Sequence, residues 1–173
     1  MIMRRNECLI VVDMQNDFID GTLGTAEARR IVERVKRRIA AAKEKGQDVV
    51  FTRDTHDVNY SETQEGRNLP VEHCRKGTFG WEIADGLHAD ERVFDKPSFG
   101  STQLGEYVRD KNYERVELIG VCTDICVISN ALLIKAFSPE TAVYVRADCC
   151  AGVTPERHET ALRAMAACQV HVL

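Results

Sequence analysis

Short apolar runs alternate along the chain with segments in which apolar residues recur every three or four positions. Residues 8–12 form a continuous apolar run, which predicts a strand buried on both faces. Between residues 25 and 45, Ile31 and Val35 belong to an apolar stripe among charged positions, which predicts an amphipathic helix that ends at Gly46. The same patterns predict further strands at 48–52, 92–94, 116–121, 142–145 and 169–172, and further helices at about 102–110, at 124–137 and from Pro155 onward.

This alternation predicts right-handed crossovers between parallel strands. We therefore expect an α/β fold: a single doubly wound domain over residues 1–173, with a mainly parallel six-stranded sheet and helices on both faces. Residues 54–90 show neither the helical nor the strand pattern of apolar residues, so they are predicted to form a long loop region. A loop region of this length in a compact domain usually has a function.

The composition argues against several classes of partner. Apolar residues make up 44% of the 173 residues, charged residues 29%, and the net charge is −4, so no basic surface for nucleic acid is expected. No apolar run reaches the length of about 18 residues that spans a bilayer, and no secretory signal is evident, so we expect a cytoplasmic protein. Seven cysteines, an odd number, then favour free thiols over a disulfide framework.

Ionisable residues follow four of the predicted strands. They are Asp13, Asp54 with His56, Lys96, and the segment 122–126. Ligands of open α/β sheets bind where strands end and helices begin, so these residues are expected to line one site.

Cys126 lies where a predicted buried strand turns into a helix. Unpaired N–H groups of a first helical turn stabilise a thiolate and could hold an oxyanion, and Asp124 is expected to cap this helix. This context fits a nucleophile and a buried structural cysteine alike. Asp13 and Lys96 favour the nucleophile, because a carboxylate base and a cation that lowers the thiol pKa complete a catalytic triad. The alternatives are that Asp13 caps a helix or turn, that Lys96 is a solvated loop residue and that Cys126 is structural. Each alternative is credible by itself, but less so for all three residues at once.

Three segments resemble the isochorismatase-like cysteine hydrolases. They are residues 10–18, residues 95–102 and residues 120–127, in the order and at the spacing of that family. The resemblance implies that Asp13 is the general base, Lys96 the supporting cation and Cys126 the nucleophile. It also implies a cis peptide bond between Val121 and Cys122, which would direct the N–H groups of Cys122 and Cys126 at the substrate oxygen.

Asp54 and His56 also offer ligands for a metal, with His73 in the following loop. Taken alone, these residues are better explained without a metal, with Asp54 capping a turn and both histidines on the surface. Residues 69–80, however, resemble the nicotinamidase branch of the family. The resemblance implies that Asp54, His56 and His73 hold a divalent metal, zinc first and iron or manganese as alternatives, with Glu65 as a candidate fourth ligand. The metal would hold the pyridine nitrogen of nicotinamide.

The chain departs from that branch just before His73. Nicotinamidases usually carry adjacent prolines there, often with an aromatic residue that stacks on the pyridine ring, and this chain lacks both features. Phe18, Phe79 and Trp81 are the candidates for a stacking face, and ordinary core packing is an equal alternative. Cys74 is expected to point away from the metal.

These features favour a metal-dependent nicotinamidase that forms nicotinate and ammonia through a cysteine thioester. An enzyme of the same family acting on another small amide or ureido compound is the second hypothesis. A non-catalytic binding domain of this fold is the third. The expected partners are a small-molecule amide and, as is common in the family, further copies of this chain in a homo-oligomer.

Overall fold

Six parallel strands form the central sheet of the computed structural model, which describes residues 6–173. The strands are β1 Glu7–Val12, β2 Asp48–Asp54, β3 Arg92–Lys96, β4 Arg115–Val121, β5 Ala142–Ala151 and β6 His171–Val172. They lie in the order β3-β2-β1-β4-β5-β6, and each neighbouring pair is parallel. The predicted doubly wound, parallel α/β sheet is confirmed.

Helices join the strands. They are α1 Asn16–Ile19, α2 Ala26–Glu44, α3 Gln64–Asn68, α4 Thr102–Lys111, α5 Ile128–Phe137 and α6 Pro155–Ala167. Short 3-10 turns occur at Tyr60–Glu62 and Phe79–Trp81, and a π-helical turn occurs at Thr123–Val127. The two longest helices begin at capping threonines: Thr25 Oγ1 accepts the Ala28 N–H, and Thr154 Oγ1 accepts the Arg157 N–H. Among residues 6–173, no helix has the length and apolar character to span a bilayer.

Alternate side chains of β1 belong to two separate cores. Ile10 and Val12 pack in a cluster that includes residues of α4, α5 and α6, whereas Leu9 and Val11 pack in a cluster that includes the apolar stripe of α2. Successive strand residues point to opposite faces, so an uninterrupted apolar run is what a doubly covered strand requires. Helices therefore cover both faces, as predicted.

Some element boundaries differ from those predicted. Strand β3 extends to Lys96, so this lysine is the last residue of the strand and not part of the loop after it. Strand β5 extends to Ala151, which places Cys149 and Cys150 in successive strand positions, one in each core. The predicted helix 124–137 begins as a π-helical turn before α5.

The strand order reverses direction between β1 and β4. In open α/β sheets, the carboxyl ends of the strands on either side of such a point flank a crevice. The segments after β1 and β4 therefore begin side by side, and these are the segments that contain Asp13 and Cys126.

Candidate active site

Asp13, Lys96 and Cys126 meet at this edge of the sheet. Asp13 directly follows β1 in a left-handed backbone conformation (φ 48°), and Cys126 lies in the turn after β4. Lys96 Nζ lies 2.7 Å from Asp13 Oδ2 and 3.4 Å from Cys126 Sγ. Three strand ends thus bring a carboxylate, an ammonium and a thiol into direct contact.

The Asp13 carboxylate is removed from solvent, with no exposed surface. Thr52 Oγ1 donates a hydrogen bond of 2.7 Å to its Oδ1. Burial raises the pKa of the Asp13 carboxyl above its ordinary value, the Asp54 carboxylate adds to this, and the Lys96 ammonium opposes it. Asp13 is therefore a stronger base than an ordinary carboxylate.

The Cys126 thiol has the opposite pKa shift from the one expected. Burial and the charge of Asp13 raise the pKa of Cys126 well above its ordinary value, and the Lys96 ammonium offsets only part of this. The expectation of a thiolate stabilised at a helix start is corrected, because removal from water outweighs the nearby positive charges. The resting thiol is protonated, while the Asp13 carboxylate raises the pKa of Lys96 against its burial and keeps it an ammonium.

The turn that carries Cys126 begins at Cys122. The Val121–Cys122 peptide bond is cis, as the resemblance implied. The Cys122 carbonyl accepts N–H groups from Ile125 (3.0 Å) and Val127 (3.1 Å), which closes the turn.

Asp124 does not cap this turn, which corrects that expectation. Its Oδ1 accepts the Val153 N–H at 3.1 Å, and its Oδ2 lies 2.6 Å from Arg157 Nε. Asp124 lies two residues after Cys122, which occupies the N-cap position, so its carboxylate does not cap the turn and instead joins it to α6.

Four further side chains converge next to the triad, namely those of Asp54, His56, Glu65 and His73. One ligand atom from each lies within 4.8 Å of the others. Asp54 Oδ2 is 2.9 Å from His56 Nε2 and 3.4 Å from His73 Nε2, and Glu65 Oε1 is 3.7 Å from both imidazoles. Glu65, the weakest of the predicted ligands, therefore joins the group through α3.

The arrangement of this group suits a divalent metal. His73 Nδ1 donates to the Val71 carbonyl at 2.8 Å, which leaves Nε2 turned toward Asp54, the orientation usual for metal-binding histidines. Burial, and then the Asp54 carboxylate, raise the pKa of Glu65, so the two carboxylates repel each other unless a cation lies between them. Two imidazoles with two carboxylates match the preferences of zinc, iron and manganese. Cys74 is buried and does not belong to the group, as expected.

Gln15 fixes the backbone of Asp54 and was not singled out from the sequence. Its Nε2 donates to the Asp54 carbonyl and its Oε1 accepts the Asp54 N–H, both at 2.8 Å. The residue is fully buried two positions after Asp13. Its position two residues after Asp13, within the motif of residues 10–18, was the available signal.

A small cavity of about 60 Å³ joins the triad to the metal-ligand group. Its described lining consists of Phe18, Leu23, Asp54, Glu65, Leu69, His73, Phe99, Cys122, Ile125 and Cys126. Apolar side chains form most of the wall, and no lysine or arginine is among these lining residues. The sequence pattern missed Leu23, Leu69, Phe99 and Ile125, because only their positions in three dimensions direct them to this cavity.

Of the three predicted stacking residues, the structure places Phe18 alone in the cavity lining, with its ring 5.7 Å from that of His73. Phe79 is 76% exposed, and its backbone carbonyl accepts a hydrogen bond from Asn16 Nδ2. The Trp81 ring lies 3.4 Å from the Arg53 guanidinium, and its Nε1 donates to Thr55 Oγ1. The predicted pocket positions of Phe79 and Trp81 are therefore corrected.

A family model of the isochorismatase domain matches residues 7–173. The chain belongs to the isochorismatase family. This family member is 31% identical to a probable inactive nicotinamidase of Arabidopsis thaliana, over 89% of this chain and 85% of that protein. It is 30% identical to the nicotinamidase/pyrazinamidase of Mycobacterium tuberculosis, over 95% of this chain and 97% of that protein.

Solved structures agree with the family assignment. The pyrazinamidase of Pyrococcus horikoshii, in complex with zinc, superposes with a TM-score of 0.86 at 33% identity and covers 97% of this chain and 98% of that one. The predicted resemblance to isochorismatase-like hydrolases and their nicotinamidase branch is confirmed.

Proposed function

We propose that this isochorismatase-family enzyme is a metal-dependent nicotinamidase, which hydrolyses nicotinamide to nicotinate and ammonia. One observation carries the proposal: a single small cavity has Cys126 in its wall together with Asp54, Glu65 and His73 of the metal-ligand group. A flat amide with a ring nitrogen could occupy this cavity with its carbonyl at the thiol and its nitrogen at the metal-ligand group. Nicotinamidases and a zinc-containing pyrazinamidase among the relatives support it.

The triad supplies the acyl transfer. Cys126 Sγ attacks the amide carbonyl while Asp13 takes the thiol proton, and the N–H groups of Cys122 and Cys126 stabilise the oxyanion. Asp13 then returns the proton to the leaving nitrogen, so ammonia departs and a thioester remains. Asp13 next takes a proton from water, which attacks the thioester, and the proton passes to Cys126 as the acid product leaves. Lys96 remains an ammonium and stabilises the charges of Asp13 and the departing sulfur.

Asp54, His56, Glu65 and His73 would hold the divalent metal. When bound, this ion supplies a Lewis acid that orients the pyridine nitrogen, and zinc is favoured over iron and manganese because a zinc-containing relative shares the fold.

The charge of the cavity favours a neutral amide over a ureido acid. In a desolvated site, the carboxylate of a ureido acid requires a cation beyond the divalent metal, whose two charges Asp54 and Glu65 already balance. The described lining holds the carboxylates of Asp54 and Glu65 and no lysine or arginine. The contact between Cys126 and Lys96 likewise supports catalysis over a purely binding domain, since a binding role gives no reason to bury a base, a cation and a thiol together.

Ammonia release from nicotinamide by the purified protein tests the proposal, before and after chelation and with zinc or manganese restored. We expect metal-dependent turnover that Cys126→Ala abolishes and that Cys168→Ala, at an exposed cysteine, leaves unchanged. No turnover with metal bound would contradict the nicotinamidase assignment, and a panel of small amides and ureido compounds would then identify the substrate. We also propose that the enzyme acts in NAD salvage in the cytoplasm as a homo-oligomer.

A further inference from the structure

Asn130 connects two segments of the active site. It lies in α5, four residues after Cys126, and its side chain has no exposed surface. Its Nδ2 donates to the Cys126 carbonyl at 2.8 Å and to the Phe99 carbonyl at 3.1 Å, and its Oδ1 accepts the Ser101 N–H at 2.9 Å. All three partners are backbone groups, so one buried amide joins the turn Thr123–Val127, which carries Cys126 and is called the nucleophile turn below, to residues 99–101.

Residues 97–101 leave β3 directly after Lys96. Lys96 Nζ donates to the Ser98 carbonyl at 3.0 Å, one residue before the carbonyl that Asn130 binds. Ser101 Oγ caps α4 by accepting the Leu104 N–H at 3.1 Å. Asn130 therefore holds the very segment that receives a hydrogen bond from the catalytic ammonium.

The helix α5 by itself does not explain the hydrogen bonds of Asn130. An Asn in a helix interior is a weak helix former, and a buried amide requires partners for all of its donors and acceptors. Here the Nδ2 bond to Cys126 lies within the turn-and-helix segment, but the bonds to Phe99 and Ser101 cross to a different part of the chain. The residue type is explained by the link between segments and not by the helix.

We propose that Asn130 is a positioning residue. It holds residues 97–101, which directly follow Lys96, against the nucleophile turn, so that the Lys96 ammonium stays beside the Cys126 thiol. The proposal rests on the proposed function, in which Cys126 is the nucleophile. The Lys96–Cys126 contact of 3.4 Å joins two segments 30 residues apart in sequence, and a shift of either segment weakens it. Small misplacements of this kind reduce rates strongly, because the reacting groups are no longer held in place.

Two variants distinguish the loss of the hydrogen bonds to residues 99–101 from an effect on the stability of α5. Asn130→Ala removes all three hydrogen bonds and favours the helix. Asn130→Ser keeps a hydroxyl that can return to the Cys126 carbonyl within the helix but is too short to reach residues 99–101. Thr141→Val is the matched control, because it also removes a buried side-chain hydrogen bond, from Thr141 Oγ1 to the Tyr113 carbonyl at 2.8 Å, on a different segment.

The readouts are kcat and the rate at which iodoacetamide alkylates Cys126, measured peptide by peptide by mass spectrometry relative to the exposed Cys168 of the same molecule. We expect both Asn130 variants to lose about tenfold or more in kcat, and the Cys126 to Cys168 ratio to fall about threefold or more, because less ammonium stabilises the thiolate. Thr141→Val should keep wild-type kcat and ratio. If Asn130→Ala does not fold, Asn130→Ser supplies the test.

The two measurements keep this proposal separate from the proposed function. Wild-type values of kcat and of the alkylation ratio in the Asn130 variants, or faster alkylation, would overturn the role of Asn130 while leaving a nicotinamidase intact. A wild-type protein without amidase activity would contradict the proposed function, and slower alkylation of Cys126 in the Asn130 variants would still support the link.

Discussion

Lys96 Nζ and Asp13 Oδ2 form an ion pair of 2.7 Å in which neither side chain has any exposed surface. Burial of both charges costs solvation energy, which their mutual attraction recovers only in this geometry. The energetic interdependence of the two residues leads to a prediction that does not require the substrate to be known.

We predict that Lys96→Met destabilises the protein by about 3 kcal/mol at neutral pH, because it leaves the Asp13 carboxylate buried without a cation. The double variant Asp13→Asn with Lys96→Met should recover at least half of that loss, since it also removes the buried Asp13 charge that Lys96→Met leaves without its cation. Urea unfolding of the three proteins measures this. A double variant as unstable as the single one would show that the pair does not govern stability.

The metal-ligand group predicts a specific role for Glu65. Glu65→Gln should weaken zinc binding by about tenfold or more, because it removes a charged oxygen from a set of two imidazoles and two carboxylates. Glu62→Gln is the matched control, since Glu62 is exposed just before α3 and lies outside the group. Competition with a chromogenic chelator measures the affinity. Equal affinities for the two variants would exclude Glu65 as a ligand.

Two phenylalanines test the boundary of the cavity. Phe18 lines it and Phe79 is mostly exposed. We expect Phe18→Ala to lower kcat/KM for nicotinamide by about tenfold or more, through lost apolar contact with the ring, and Phe79→Ala to leave it within about twofold of wild type. Steady-state kinetics at saturating metal distinguishes them. A large effect of Phe79→Ala alone would reverse the assignment of the pocket wall.

Glu117 predicts part of the acid sensitivity of the fold. Burial disfavours its carboxylate, but hydrogen bonds from Arg38 and Arg146 outweigh that cost and lower the pKa of Glu117 below its ordinary value of 4.5. The lowered pKa in the folded state stabilises the protein above about pH 4.5, and this contribution is lost as the pH falls below that value.

The stability difference between wild type and Glu117→Gln should therefore shrink between about pH 7 and about pH 3.5, as the urea midpoints will show. Glu114→Gln, at an exposed carboxylate in the same region, should show no comparable change. A difference that does not depend on pH would contradict the assigned role of the Glu117 carboxylate.

The sequence was sufficient to predict the parallel sheet and the positions of Asp13, Lys96 and Cys126 at strand ends. Apolar runs and helical periods are local signals, and the carboxyl ends of parallel strands must share one edge of the sheet. Residues predicted from three separate segments therefore meet, with Lys96 Nζ in contact with both partners. Their catalytic roles remain predictions for the variants above to test.

Only the tertiary structure decided which neighbours these residues have. It placed Glu65, until then only a candidate fourth ligand, beside Asp54, His56 and His73, turned Phe79 toward solvent, and linked Asn130 to residues 99–101. It also reversed the expected pKa shift of Cys126, because the pKa of a thiol depends on its exclusion from water as well as on nearby charges. Burial and contacts between distant segments are properties of the packed chain, and no local pattern of residues specifies them.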